Sequence, residues 1–503
     1  MTFKLRSITA ATTAALIMGF GINAMADTST DIVNALVSKG ILTEEEGALL
    51  TKGREGEQAG QEKAMKKATK LKISDAIDNA TVYGDIRLRY ENRQGSGVGD
   101  IAKQGPGSID ETRERARYKL TLGVKTESGP FYTDLALAMG AGGRSDNATF
   151  GKSATGGSID DKETAYIKRA MIGWKATEWL TLEGGRTNNP LYTTPMVWDA
   201  DLNFEGVNEQ AKFKAGNADI FLTAAQASYQ GDRKNFGKNL KNTGDTINTE
   251  LFAFQGGARY SINDNTSAKA ALTYTTINNN TSGTPFAPGK GTDGPGSAKV
   301  AAAAGLNAAG TAVAFVPAKA AVGGYQIAAA GVNDLNTIEI PAEINYMVAT
   351  NVGIRLFGDY AYNTSADDRA KHSGLATAAK GSSGSDDSAW MLGLAVGSAK
   401  DLKAFEGNKM AKGDWSARVW YQDVGVWSVD ANAVDSDFMD SRVNMKGTTF
   451  KAQYNIEDNL IANFAYGHAT RKNNKYGAAG AASDLALNLK DFDLLQLDLT
   501  YKF

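Results

Sequence analysis

The sequence predicts an all-β fold: a transmembrane antiparallel β-barrel of about sixteen strands, preceded by a short N-terminal helical segment. Three observations lead there. From Thr81 onward the apolar residues recur with a period of two, segment after segment. The connections between these segments fall into tight turns and long loops. The chain closes on DFDLLQLDLTYKF, an alternating strand that stops on Phe503.

The first residues do not belong to the barrel. MTFKLRSITAATTAALIMGFGINAMA carries Lys4 and Arg6, an apolar run from Ile8, and then Ala24-Met25-Ala26. This pattern predicts a signal peptide, residues 1–26, removed before Asp27. The apolar run is too short to span a bilayer by itself. Its removal takes away two positive charges, so the formal charge moves from -2 to -4. Residues 27–75 read as a periplasmic helical segment. Ile32, Leu36 and Val37 have helical spacing, Gly40 breaks it, and Thr43 with Glu46 forms a capping box for a second helix.

The barrel is expected over 81–503. In TVYGDIRLRY, Val82, Ile86, Leu88 and Tyr90 share one face, and Tyr83, Asp85, Arg87 and Arg89 share the other. In RARYKLTLGVK, Tyr118, Leu120 and Leu122 oppose Arg115, Arg117, Lys119 and Thr121. Candidate strands lie near 82–90, 112–126, 131–140, 162–174, 178–187, 206–215, 219–230 and 248–262. Eight more lie near 266–277, 339–349, 352–362, 386–397, 413–424, 446–456, 459–470 and 490–503. ESGP at 127–130, KATE at 175–178, IND at 262–264 and IED at 456–458 read as short turns. Long loops are expected at 91–111, 141–161, 188–205, 231–247, 278–338, 363–385, 425–445 and 471–489. Short turns on one side and long loops on the other are the signature of an outer-membrane barrel, although the connection near 398–412 is longer than the other turns. The 278–338 insertion is a low-complexity Gly/Pro/Ser and Ala-rich stretch, read as one external loop; two strands hidden in it would raise the count to eighteen.

Closure and charge decide which face meets lipid. An open sheet cannot survive in a bilayer, because its edge groups would go unbonded. A barrel of sixteen strands is too wide to fill with side chains, so its charged face meets water. The last strand must therefore pair with the first, near Val82 to Tyr90. On this reading Arg87, Arg89, Arg115, Arg117 and Lys119 form a basic ladder in the lumen, with Arg169 and Arg186 extending it. Such a ladder raises the local anion concentration. The alternative is that these cations pair with Asp85, Asp134 and Glu183 and simply hydrate the wall.

Other chemistries find little support. The chain has no cysteine, which excludes thiol chemistry and disulfides. Its two histidines, His372 and His468, are far apart and lack ligand-spaced partners. No nucleophile, base and orienting partner stand out together, no cofactor motif is present, and a mature charge of -4 argues against nucleic acid.

At 185–207 the chain reads GRTNNPLYTTPMVWDADLNFEGV. This stretch resembles the strand-to-loop segment of a family of "putative porins" from Gram-negative bacteria. The matching residues are Arg186, Asn189, Pro190, Trp198, Asp199, Asp201, Leu202, Asn203, Glu205 and Gly206; Phe204 stands where the family has proline. LVSKGILTEEEGALL, SDFMDSRVNMKGTTFKAQYNIEDNL and the closing strand are similar to the family's preface and final strands. The resemblance implies an outer-membrane barrel that passes small hydrophilic solutes and needs no cofactor. It carries Arg186, Asp199, Asp201 and Glu205 over as loop or constriction positions. A salt-bridged loop plug that selects nothing is the other reading of those four. The implied partners are the lipid bilayer and lipopolysaccharide, small solutes, and the barrel-assembly machinery, which recognises a terminal aromatic such as Phe503. Wide barrels of this kind are commonly homotrimers. A structural barrel that contacts a surface layer without transporting anything is the competing function.

Overall fold

A computed structural model describes residues 77–98, 108–140, 146–151, 162–233, 247–279, 334–372, 386–399, 411–440, 442–474, 479–480, 485 and 488–503. The expected leader, the helical segment and nearly all of the 278–338 insertion lie outside the described residues. The barrel strands begin with β1 (Asn79–Val98), β2 (Ser108–Ser128), β3 (Phe131–Gly140), β4 (Thr164–Lys175) and β5 (Leu180–Asn188). β6 (Asn203–Ala215), β7 (Ala218–Arg233), β8 (Ile247–Asn263) and β9 (Thr266–Asn279) follow. Then come β10, in two pieces (Asn336–Glu339 and Ala342–Ala349), β11 (Val352–Asn363), β12 (Ser388–Ser398) and β13 (Trp415–Val424). β14 (Met445–Asn455), β15 (Leu460–Arg471) and β16 (Asn488–Lys502) complete the set.

Each strand pairs antiparallel with the next. β16 pairs back on β1, with Asp85 opposite Lys502 and Val98 opposite Asn488. The result is a closed barrel of sixteen strands. The seam extends to the last residue: the Gly84 N–H donates to the Phe503 carbonyl at 2.9 Å, and the Phe503 N–H donates back at 3.1 Å. A Cβ on Gly84 would stand 2.6 Å from the Phe503 ring, so the terminal aromatic can lie over this position only because it is glycine.

The two faces have the expected sense. Ile86 and Leu88 are nearly half exposed on the outside, whereas Arg89 between strand neighbours is 7% exposed on the inside. Apolar residues cover the exterior, and aromatic ones gather near the short-turn end: Phe131 stacks on Trp174, Trp179 stacks on Phe213, and Trp415, Tyr454 and Tyr501 lie at the same level. Such girdles mark membrane interfaces.

Two element boundaries depart from the sequence reading. The loop expected at 91–111 is largely strand: β1 and β2 stay paired from Asn79–Glu127 to Val98–Ser108. Glycines at 95 and 97 signal a turn in the sequence, but the neighbouring β16 extends as far and holds them in the ladder, with a register shift at Ser96/Gly97. β10 starts earlier than expected and is interrupted at Ile340-Pro341, where proline lacks the N–H a central strand needs. Pairing resumes across the break through the Ile340 N–H to Tyr360 and the Pro341 carbonyl to Ala271. Outside the barrel, Ala148–Thr149 lies against β2, Arg442–Val443 pairs with Ala479–Gly480, and a short helix α1 spans Ala366–His372.

Candidate functional site: the loop-lined lumen

Two of the long connections turn inward. The β5–β6 loop, 189–202, leaves the wall at Asn189-Pro190, where the Asn189 side chain accepts the Leu191 N–H at 2.9 Å. It then docks on β8, β10 and β11. Tyr192 exchanges two hydrogen bonds with Gln255, each 2.8 Å. The Thr193 hydroxyl donates to Glu339 at 2.5 Å, and the Thr194 hydroxyl donates to Asp359. Both carboxylates are buried in the inner wall.

The β13–β14 loop, 425–444, folds in because of its apolar residues. Trp427, Val429, Val434, Phe438 and Met439 pack against Met196 of the first loop and against inward-facing Met391, Trp420, Val424 and Leu494. Burying each of the large ones favours the inward state by about 1.5–3 kcal/mol. Met439 and Asp440 take the left-handed backbone region, at φ 51° and 55°, which turns the Asp440 carboxylate towards Arg93 and Arg442. Three backbone donors join the two loops. The Asp199 N–H donates to Ala433 at 2.6 Å, the Asp435 N–H to Pro195 at 3.0 Å, and the Ser436 N–H to the Asp199 carboxylate at 3.1 Å.

The basic ladder faces the lumen, and each member has a partner. Arg89 binds Asp498 through Nε at 2.7 Å and Nη2 at 2.8 Å, and Asp437 of the β13–β14 loop at 3.0 Å. Arg87 donates to Asn147 at 2.6 Å and stands 3.8 Å from Asp498. Arg115 binds Glu91 at 2.5 Å, and Arg117 lies 3.8 Å from the same carboxylate. Lys119 is 3.7 Å from Asp85. Arg186 pairs with Glu205 and donates to the Lys168 carbonyl at 2.9 Å. Asp201 is half exposed, 3.9 Å from Lys168. Arg169, a further cation of the sequence reading, binds Asp134 at 2.6 Å. Asp199 sits apart from the arginines, at the junction of the loops. Sequence reasoning missed Glu91, Arg93, Asp437 and Asp440, which form the centre of this network; the first two share the ladder's strand parity but lay in a stretch read as loop.

The loop acids diverge electrostatically. Burial, then Asp435 and Asp201, push the Asp199 carboxyl up to about 7. Burial would raise Asp437 too, but Arg89, Arg93 and Lys451 outweigh it and hold that carboxyl well below the usual range. One loop acid is therefore a fixed anion clamped to the wall, and the other titrates near neutrality.

Residues 106–503 match the model of a family described as "Putative porin". The chain belongs to this family. No curated protein matches it. Solved structures that superpose on this porin include the outer-membrane channel DcaP of Acinetobacter baumannii, 12% identical, covering 86% of this chain and 99% of that one at a TM-score of 0.38. A mutant of the Rh. blastica porin, 12% identical, covers 84% and 100% at 0.35.

Between the loops and the turn end, the porin's lumen keeps open space. A chamber of about 390 Å³ is lined by Arg87, Arg89, Arg355, Arg418, Lys451 and Lys502, with Asp498 as its carboxylate. A second, of about 340 Å³, lies beside Asp134, Arg169, Glu183 and Pro190. Arg355, Arg418 and Lys451 were also missed in the sequence. Each is the single cation of its strand on the lumenal parity, and only the register brings them together.

Proposed function

We propose that this porin is a passive, water-filled channel of the outer membrane for small hydrophilic solutes. The observation that carries the reading is the combination of a closed apolar-faced barrel with polar chambers along its lumen, narrowed by two inward loops. Solutes cross the wide wall-lined part freely and meet a constriction where 189–202 approaches 425–444. Charges fixed on rigid strands supply a field without any moving part or cofactor. Reconstituted into liposomes, the purified protein is expected to permit swelling in neutral sugars and amino acids, at rates that fall as solute size rises. Liposomes that do not swell, with the protein verified as folded, would leave a structural barrel as the better account.

A further inference from the structure

Around the inner wall from β1, beyond β16 and β15, lies a second cationic group with a different character. Arg355 is registered against Ala395, Ala395 against Arg418, and Arg418 against Lys451. Beyond Lys451 the same row continues through Ala465 to Gln496. Four adjacent strands thus place three cations in one lateral row, with Arg418 and Lys451 directly opposite each other. Like charges in that position destabilise a sheet. The ladder on β1 and β2 neutralises each cation with a carboxylate or amide. Here, among the described residues, neither Arg418 nor Lys451 makes an ion pair or a side-chain hydrogen bond. Instead both lean on one ring: the Arg418 guanidinium is 5.5 Å and the Lys451 ammonium 5.6 Å from Trp420.

Space and access fit the charge. Ala395 and Ala465 flank the pair and leave room above the wall, and all three cations line the 390 Å³ chamber. Arg418 is solvent-exposed within the lumen. The acids facing the row are Glu343 at 3.7 Å from Arg355, Asp437 of the loop, which acts on Lys451 but is already clamped by Arg89 and Arg93, and Asp435 of the same loop, which acts on both Arg418 and Lys451. Burial raises the Asp435 carboxyl and so weakens that counter-charge.

We infer that Arg355, Arg418 and Lys451 form a binding station for small dianionic oxyanions on the solute path through the chamber. The forked Arg418 guanidinium suits two oxygens of one carboxylate or phosphate, and Lys451 supplies a point charge beside it. A dianion relieves the like-charge opposition between Arg418 and Lys451, whereas a monoanion relieves only part of it. The station rests on the reading of the protein as a solute channel, and it adds a preference to that channel.

The test uses the full-length purified protein in planar bilayers, with hydrogen phosphate, succinate and acetate added to a chloride current. Hydrogen phosphate and succinate are expected to block saturably, and acetate at least tenfold more weakly. In Arg418→Gln/Lys451→Gln the half-blocking concentration of both dianions should rise tenfold or more. Arg418→Lys, which keeps the charge and loses the fork, should weaken the block less than the double variant does, and Lys412→Gln on the periphery should change nothing. Equal block in wild type and the double variant would overturn the station. Block by only one of the two dianions would show recognition of that headgroup rather than of charge, and would also overturn it. Equilibrium binding of phosphate to the detergent-solubilised barrel separates the two claims. Binding without conductance defeats the channel and supports the station; conductance without binding defeats the station alone.

Discussion

Asp437→Asn should loosen the β13–β14 loop from the wall. Asp437 accepts from Arg89 Nη1 at 3.0 and 3.3 Å and from Arg93 Nη2 at 2.8 Å, and the side chains of the two arginines are 6% and 1% exposed. Stranding a buried charge costs about 3–5 kcal/mol, but neither arginine would be stranded. Arg89 keeps Asp498 at 2.7 Å, and Arg93 keeps Asp440 at 2.9 Å and Glu91 at 3.1 Å. The asparagine oxygen also retains one acceptor. With about 1.5–3 kcal/mol for each bond to a charged group, the net loss comes to about 2–4 kcal/mol. Released locally, that energy accelerates amide exchange across 425–440 by about 30- to 1,000-fold, at about 1.4 kcal/mol per decade. Hydrogen exchange read by mass spectrometry on the folded protein measures it directly. Exchange within threefold of wild type would refute the clamp and leave apolar packing as what holds the loop. The acid limb follows from the depressed carboxyl. Its contribution is complete above the unfolded value of about 4 and is lost only as pH falls through the much lower folded value. This clamp therefore persists through mildly acidic conditions.

Asp199 behaves oppositely. Its carboxyl, raised to about 7, favours the loop junction when protonated, so its contribution falls as pH rises from about 4 to about 7 and is level beyond; exchange at residues 433–436 should track that window, and Asp199→Asn should abolish the dependence. Thr193→Val with Thr194→Val removes the hydroxyls that reach Glu339 and Asp359 and leaves two buried carboxyls short of donors. Each substitution should cost about 1–3 kcal/mol locally and free 189–202, seen as faster exchange there and noisier single-channel current. Deleting Phe503 removes the two hydrogen bonds to Gly84 at the seam. The fraction of heat-modifiable, folded barrel on gels should drop, whereas an unchanged fraction would show that the seam closes without its last residue.

The barrel was legible because a period of two is local. Ile86 and Leu88 declare one face of β1, and Arg87 and Arg89 the other, whatever the distant chain does. All sixteen strands were placed from that signal, and the final strand's partner followed from the need for closure. The constriction was not legible in the same way. The contact of Asp199 with Ser436 joins residues 237 positions apart, and no periodicity records it. Trp427 and Met439 looked like ordinary loop residues, although their apolarity is what draws 425–444 inward. The ladder was visible as a cluster because its members share two neighbouring strands. Arg355, Arg418 and Lys451 lie on three strands far apart in sequence, and no local pattern marks a lone lumenal cation. Only the pairing of Ala395 with both arginines and of Arg418 with Lys451 makes them one group.

The most direct test of the central claim is the ionic current through single copies of the purified, folded protein in a planar bilayer. A sixteen-stranded barrel with a hydrated lumen should give discrete conductance steps that scale with salt concentration, with a reversal potential of anion sign under a salt gradient. Folded protein that inserts and yields no steps would contradict the channel. Steps with a cation-sign reversal would keep the channel and contradict the assignment of its field to the cations of the lumenal wall.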